Sequence, residues 1–250
     1  MNKTYRPAPP RALDPWDGVL LVDKPSGPTS HDVVARIRRH FQIKKVGHGG
    51  TLDPMATGLL IILLGKGTKL SGQIMGCDKV YEGTMRLGVS TDTQDGDGQV
   101  VTERDPSGVT CDQLLEEMKK RTGDIQQVPP MVSAIKRNGV PLYKLARKGL
   151  SVEREPRLIH VYQFHLLDFS PPFVSFRLRC TKGTYVRTLC ADIGDALGCG
   201  AHLASLRRTE SGTFRLADAV SFNDLLRLSS SELAGRIIPS SEFRLQGHTA

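Results

Sequence analysis

Two segments with strand-like alternation, residues 157–169 and 173–180, are separated only by Ser170-Pro171-Pro172. So short a joint leaves no room for a crossover, and the two segments read as a long antiparallel pair. Further strand candidates lie at 18–22, 59–64, 79–87, 99–102 and 133–136, and Asn138-Gly139 is a strong hairpin-type turn. Strands outnumber helices and many neighbours are hairpin-joined. The pattern predicts an α+β fold, a sheet with helices packed on it, rather than a doubly wound parallel sheet.

Helical spacing marks the remaining elements. Ser30 is the expected N-cap of a helix with Val33, Val34, Ile37 and Phe41 on its inner face and Arg36, Arg38 and Arg39 on others. Thr110 is expected to cap a helix through Leu114, Leu115 and Met118 that Gly123 ends, and residues 142–148 form a short helix candidate. After Lys182-Gly183-Thr184, the residues Val186, Leu189, Ile193 and Leu197 share a face up to Gly198. Residues 1–16, with Pro7, Pro9, Pro10 and Pro15, read as an extended arm.

Charge narrows the partners. Lys and Arg number 34 against 26 Asp and Glu, a net charge of +8, which favours a polyanion, nucleic acid first. No basic amphipathic helix with a broad apolar face is found, and the longest apolar run, 59–64, is far short of the ~20 residues of a membrane span. The first residues lack a signal-peptide apolar region, so a cytosolic protein without membrane contact is expected. The 5 cysteines form no C-x-x-C pair and read as reduced, buried thiols. No histidine or cysteine pattern supports a metal. The acidic stretch from Asp92 to Gly98 misses the calcium-loop pattern and is read as a solvated turn. Neither a phosphate-binding loop nor a serine nucleophile elbow is present.

Four stretches carry candidate chemistry. In His48-Gly49-Gly50-Thr51-Leu52-Asp53, paired glycines let a ligand approach the backbone and Asp53 stands on the rim. Lys79-Val80-Tyr81 offers a ring for stacking, and Lys182-Gly183-Thr184-Tyr185-Val186-Arg187 sets a tyrosine and an arginine in a first helical turn. His202 to Thr209 ends in the pair Arg207-Arg208, suited to a phosphate backbone. Taken singly, each has an ordinary reading: a capped glycine turn, core tyrosines, a surface arginine, a solvated strand end.

Taken together and in order, these stretches resemble the TruB family of tRNA pseudouridine synthases. The resemblance runs through GVLLVDKPSGPTSHDVV, GHGGTLDPMATGLL, DKVYEGTMRLG with TDTQDGDG, VPPMVSAIKRNGVPLYKLARKG, CTKGTYVRTLCADIG and GAHLASLRRT, over residues 17–222. It implies a large mixed, mostly antiparallel sheet flanked by helices, with a central active-site cleft in one catalytic domain. It implies the isomerisation of a uridine in the T-loop of tRNA, position 55, to pseudouridine, with no cofactor. The family's catalytic aspartate falls on Asp53. Its uridine-binding positions fall on His48, Tyr81, Tyr185 and Leu206, and its aspartate-pairing arginine falls on Arg187. Residues alone leave open whether Asp53 adds to the uracil, attacks the sugar carbon or removes a sugar proton, and the base role is favoured.

Arg36, Arg38 and Arg39, the Lys136-Arg137 hairpin and Arg207-Arg208 are the candidates for holding RNA backbone. Residues 223–250 read as a short helix and a polar tail, too little for the complete PUA-type module of many relatives. The expected partner is the tRNA T-arm, acted on by a monomer that needs no protein partner. The alternatives are a tRNA-binding or folding protein without catalysis, and the catalytic subunit of a guide-RNA-directed synthase.

Overall fold

A computed structural model describes residues 15–137, 139–146 and 148–243. Nearly all of the expected N-terminal arm, and Asn138 of the hairpin turn, lie outside the described residues. The main strands are β1 (Gly18–Lys24), β2 (Val46–His48), β3 (Thr57–Leu64), β4 (Lys79–Leu87), β5 (Val89–Thr91), β6 (Val100–Glu103) and β7 (Gly123–Gln127). They continue with β8 (Lys136–Arg137), β9 (Val140–Pro141), β10 (Arg157–Ser170), β11 (Phe173–Cys180), β12 (Ala201–Ser211), β13 (Phe214–Arg215), β14 (Val220–Ser221) and β15 (Ile238–Pro239). The helices are α1 (Ser30–His40), α2 (Ser71–Gly76), α3 (Cys111–Lys120), α4 (Leu142–Ala146), α5 (Val186–Ala196), α6 (Phe222–Leu225) and α7 (Ser230–Ala234).

An 11-stranded sheet, mixed but mostly antiparallel, has the main order β14-β1-β3-β12-β4-β11-β10-β7, with β13 paired to β12, β15 to β1 and β2 to β3. The strands β10 and β11 pair as their short joint requires, from Ser170↔Phe173 to Val161↔Cys180. In β11 the even residues Val174, Phe176, Leu178 and Cys180 are buried, the period-2 pattern of a sheet with one covered face. By contrast β3 is buried almost throughout because both its faces are covered. Leu60, Ile62 and Leu64 join Val33, Val34 and Ile37 of α1, whereas Leu59, Ile61 and Leu63 pack with Val19, Leu21, Ile74 and Phe214.

Local boundaries depart from expectation for identifiable reasons. The cap of α1 is Thr29, in a capping box with Asp32, because the Ser30 hydroxyl is bonded to the backbone of Leu52. Helix α3 ends at Lys120, and Gly123, at φ +92°, opens β7 instead of closing the helix. Only Lys136 and Arg137 of the expected strand 133–136 and its turn pair, and the short helix expected over 142–148 spans Leu142–Ala146. The C-terminal segment is more than a tail. β15 pairs with the start of β1, and Leu225, Leu233 and Ile237 are buried in the main core.

One irregularity positions everything that follows. The neighbours β12 and β3 are parallel and pair only at Arg207↔Thr57 and Arg208↔Gly58. Beyond that contact the free edge of β12 is taken by the turn after β5, where Leu203 N–H donates to Gln94 O at 3.0 Å and Gly96 N–H to Leu203 O at 3.0 Å. The sheet therefore splits. The loop between β2 and β3 lies on one side of the split and Asp95 on the other. Among the described residues, no helix is long and apolar enough to cross a membrane.

Candidate functional site

The loop from Gly49 to Ala56 carries Asp53, and its backbone is tied down almost residue by residue. Gly49 N–H donates to Ile61 O at 2.8 Å. The Ser30 hydroxyl accepts from Leu52 N–H at 2.8 Å and donates to Leu52 O at 3.0 Å. Gly27 N–H donates to Pro54 O at 2.9 Å, and Ala56 N–H to Asp53 O at 3.1 Å. Beneath the loop, the fully buried amine of Lys24 donates to Pro54 O at 3.0 Å, Ala56 O at 2.7 Å and Pro25 O at 2.9 Å. A side chain on so restrained a backbone can be aimed.

Asp53 opens onto a cleft of 880 Å³ whose walls include His48, Leu52, Thr93, Val132 and Tyr143. Its carboxylate meets Arg187, from the first turn of α5: Nε lies 3.2 Å from Oδ2 and Nη2 donates to Oδ1 at 3.4 Å. Arg187 is 4% exposed, and its remaining donors reach Val132 O at 2.8 Å, Thr93 O at 3.4 Å and Asp95 Oδ2 at 3.4 Å. Asp95 is itself 8% exposed and its other oxygen accepts from the Thr93 hydroxyl at 2.5 Å and from Asp97 N–H at 3.2 Å. Two carboxylates thus share one guanidinium, but only Asp53, 34% exposed, faces the cleft.

The electrostatics follow from burial. Burial pushes the Asp53 carboxyl above the usual carboxylate range; Arg187 opposes the rise, and the nearby Asp95 charge adds to it. Lys24 is lowered to about 8, chiefly by burial, with Asp53 pulling the other way. Burial and then the Arg208 charge lower the His48 imidazole, so it is neutral near pH 7. Burial holds the Tyr81 phenol up at about 12 and also raises that of Tyr185, and each lies close enough to Asp53 to feel its charge.

The expected site residues fall as follows. Asp53 and His48 line the cleft with Arg187 behind Asp53, whereas the buried Tyr81 and the α5 cap residue Tyr185 do not line it and are placed only near enough to Asp53 to feel its charge. Leu206 is 8% exposed and lines a different cavity, of 680 Å³, together with Met55, so it is not brought into the Asp53 cleft. Of the basic residues, Arg36, Arg38, Arg39, Lys136 and Arg137 are exposed, although Arg38 also donates to Val46 O at 2.9 Å and Arg137 to Glu153 O at 2.5 Å. Arg207 is engaged by Asp23 at 2.6 Å. Arg208 needs correcting: it is 2% exposed and bonded to backbone carbonyls of Leu59, Thr51 and Gly50, so it cannot offer itself to a phosphate.

Three contributors escape a reading of the chain. Asp95 belongs to a stretch read as a solvated turn; the bridge to Leu203 buries it. Lys24 ends a buried strand, an odd place for an amine and the one local hint of its role. Gln127 is 3% exposed at the end of β7 and holds Tyr185 by both backbone groups, accepting its N–H at 2.8 Å and donating to its carbonyl at 3.1 Å.

Comparison with known proteins identifies the family. The model of the TruB family pseudouridylate synthase N-terminal domain matches residues 38–186, and that of the tRNA pseudouridylate synthase B C-terminal domain matches 187–242. The two meet in the first turn of α5, inside the sheet-packed body. The tRNA pseudouridine synthase B of Opitutus terrae is 56% identical over 223 residues, 89% of this chain and 92% of that one. The protein of the same name from Dechloromonas aromatica is 49% identical over 229 residues, 92% of this chain and 76% of its own. Among solved structures, a chain of a Cbf5-Nop10-Gar1 complex superposes with a TM-score of 0.71 at 33% identity, over 90% of this chain and 60% of that chain. A chain of the archaeal box H/ACA sRNP Nop10-Cbf5 complex gives 0.66 at 31% identity, again over 90% and 60%. With the two family models matched consecutively over residues 38–242 and relatives near half identical over most of their length, the chain belongs to the TruB family of pseudouridylate synthases.

Proposed function

We propose that this chain isomerises the uridine at position 55 in the T-loop of tRNA to pseudouridine, with Asp53 as the catalytic carboxylate. The observation that carries the reading is the cleft-facing carboxylate of Asp53, held 3.2 Å from the buried Arg187. The target base leaves its stack at a cost of a few kcal/mol, His48 helping at the mouth of the cleft. Asp53, kept ionised by Arg187, removes a proton from the sugar while the N1–C1′ bond breaks. The detached uracil turns against Tyr81, with stacking worth ~1–3 kcal/mol. The C5–C1′ bond then forms, the sugar recovers a proton, and the C5 hydrogen is exchanged for one on N1. No hydrolysis or net redox change occurs, so one carboxylate suffices where a glycosidase needs two. Tyr185 and Leu206 close the base pocket, and Arg36, Arg38, Arg39, Lys136, Arg137 and Arg207 hold RNA backbone.

The enzyme acts in this reading as a cytosolic monomer on tRNA alone. Asp53→Asn tests it: the variant should bind an unmodified tRNA transcript but form no pseudouridine, and turnover at the wild-type rate refutes the assignment. The similarity to Cbf5 chains solved in complexes favours a second reading, a subunit that acts only with partners. Purified protein on a bare transcript separates the two, and a protein that binds tRNA without changing any uridine would be a pure binder.

A further inference from the structure

Arg208 is among the largest fully buried side chains, and none of its hydrogen bonds among the described residues is to a carboxylate. Burying a guanidinium without a counter-ion is costly, by several kcal/mol in general, unless its donors are well met. Here they are met by backbone carbonyls, with the Tyr81 phenol also close enough to interact. Nε donates to Leu59 O of β3 at 2.8 Å, Nη2 to Gly50 O at 3.2 Å and Nη1 to Thr51 O at 3.4 Å, just ahead of Asp53 in the loop. On β12, Arg208 stands directly opposite Tyr81 of β4, so the two side chains share a face of the sheet. One planar fork therefore joins the strand of Tyr81, the strand β3 and the loop of Asp53.

Glycines of the loop and of β3 lie against Arg208. Gly50, at φ +140°, would place a Cβ 3.6 Å from Arg208 Nη1. At Gly58, with φ +96°, a Cβ would collide with the backbone of Arg208 where β3 and β12 make their only paired contact. Gly58 thus lets β3 approach the strand that carries Arg208.

We propose that Arg208 is a positioning residue for the reaction, its guanidinium setting the Asp53 loop at a fixed distance from Tyr81 across the base pocket. This rests on Asp53 being the reactive carboxylate. That assignment fails on Asp53→Asn and this one on Arg208→Lys, so the two failures are separable.

Arg208→Lys keeps the charge and loses the fork. At saturating tRNA its single-turnover rate should fall about 30-fold or more, while tRNA affinity stays within about threefold and its salt dependence is unchanged. In Arg208→Ala, methylguanidinium at millimolar concentration should restore activity about tenfold, and methylammonium should not. Gly50→Ala leaves the arginine in place, its Cβ meeting Nη1 at an ordinary 3.6 Å, but strains the backbone at φ +140° and so shifts the Gly50 carbonyl that the fork binds; it should also lose rate without losing affinity, and it carries the test should the arginine variants fail to fold by near-ultraviolet circular dichroism. A wild-type rate in folded Arg208→Lys or in Gly50→Ala overturns the proposal. So does a loss confined to tRNA affinity with a shallower salt dependence, the mark of a phosphate contact.

Discussion

Gln127→Glu isolates the bond that seats the first turn of α5. The carboxamide accepts from Tyr185 N–H at 2.8 Å and donates to Tyr185 O at 3.1 Å, and no side-chain cap is present at Tyr185 itself. The substitution preserves size and the acceptor. It replaces the donor with a second acceptor, facing a carbonyl oxygen in a site where Gln127 is 3% exposed. Losing a buried donor in this way costs about 1–3 kcal/mol, which corresponds to about 5- to 150-fold in rate if Arg187, two residues on, must be seated for reaction.

The loss should depend on pH. An ordinary Glu titrates near 4.3, and burial beside a carbonyl raises the new carboxyl above that. Once protonated, it donates to Tyr185 O as the amide did. The folded-state value being raised, its contribution to stability is complete below the unfolded value and is lost as pH rises through the folded one. Single-turnover pseudouridine formation should be followed from about pH 5.5 to 8 and expressed as the variant-to-wild-type ratio, which cancels the titration of Asp53. The ratio should climb toward the acid end. A flat ratio, or one that falls toward acid, refutes the argument that Gln127 acts through its donated hydrogen bond.

Two further outcomes follow from the buried charges. Because burial raises Asp53, Asp53→Asn should melt no lower than wild type at pH 7, and any gain should shrink as pH falls through the ordinary Asp range, where the wild-type carboxyl is protonated both folded and unfolded; a clearly lower melting temperature contradicts this. Lys24→Met strips three carbonyls of their donor and should cost about 1–3 kcal/mol in denaturant titrations at pH 7. With Lys24 lowered to about 8, the unfolded chain binds more protons than the folded one above that value, so the wild-type advantage over Lys24→Met should widen from pH 8 to 10; a constant difference would contradict the burial of a charged amine.

Much of the molecule is legible in its chain. The pairing of β10 with β11, the inner faces of α1 and α5, and the strand β3 follow from periodicity and joint length, because these patterns report local geometry. The family blocks singled out Asp53 and Arg187, and the cleft brings the two together. Less could be read from Ser30 and Gly123. A hydroxyl can cap a helix or bind a distant backbone, and a glycine can end a helix or open a strand; neighbours decide which.

The residues that hold the site lie beyond such patterns. Asp95 looks like any acid in a polar turn until Leu203, far along the chain, draws the turn onto the free edge of β12. Arg208 looks like a surface cation beside Arg207, but a strand points alternate residues to opposite faces, so one meets Asp23 and the other is carried inside. Its partner Leu59 O lies 149 residues away, and that of Arg187 on Asp95 lies 92 away. Sequence alone determined many of the strands and helices and, through the family blocks, which carboxylate and guanidinium to pair. Tertiary structure alone decided which polar groups are buried, because desolvation depends on everything packed around a group and not on its neighbours in the chain.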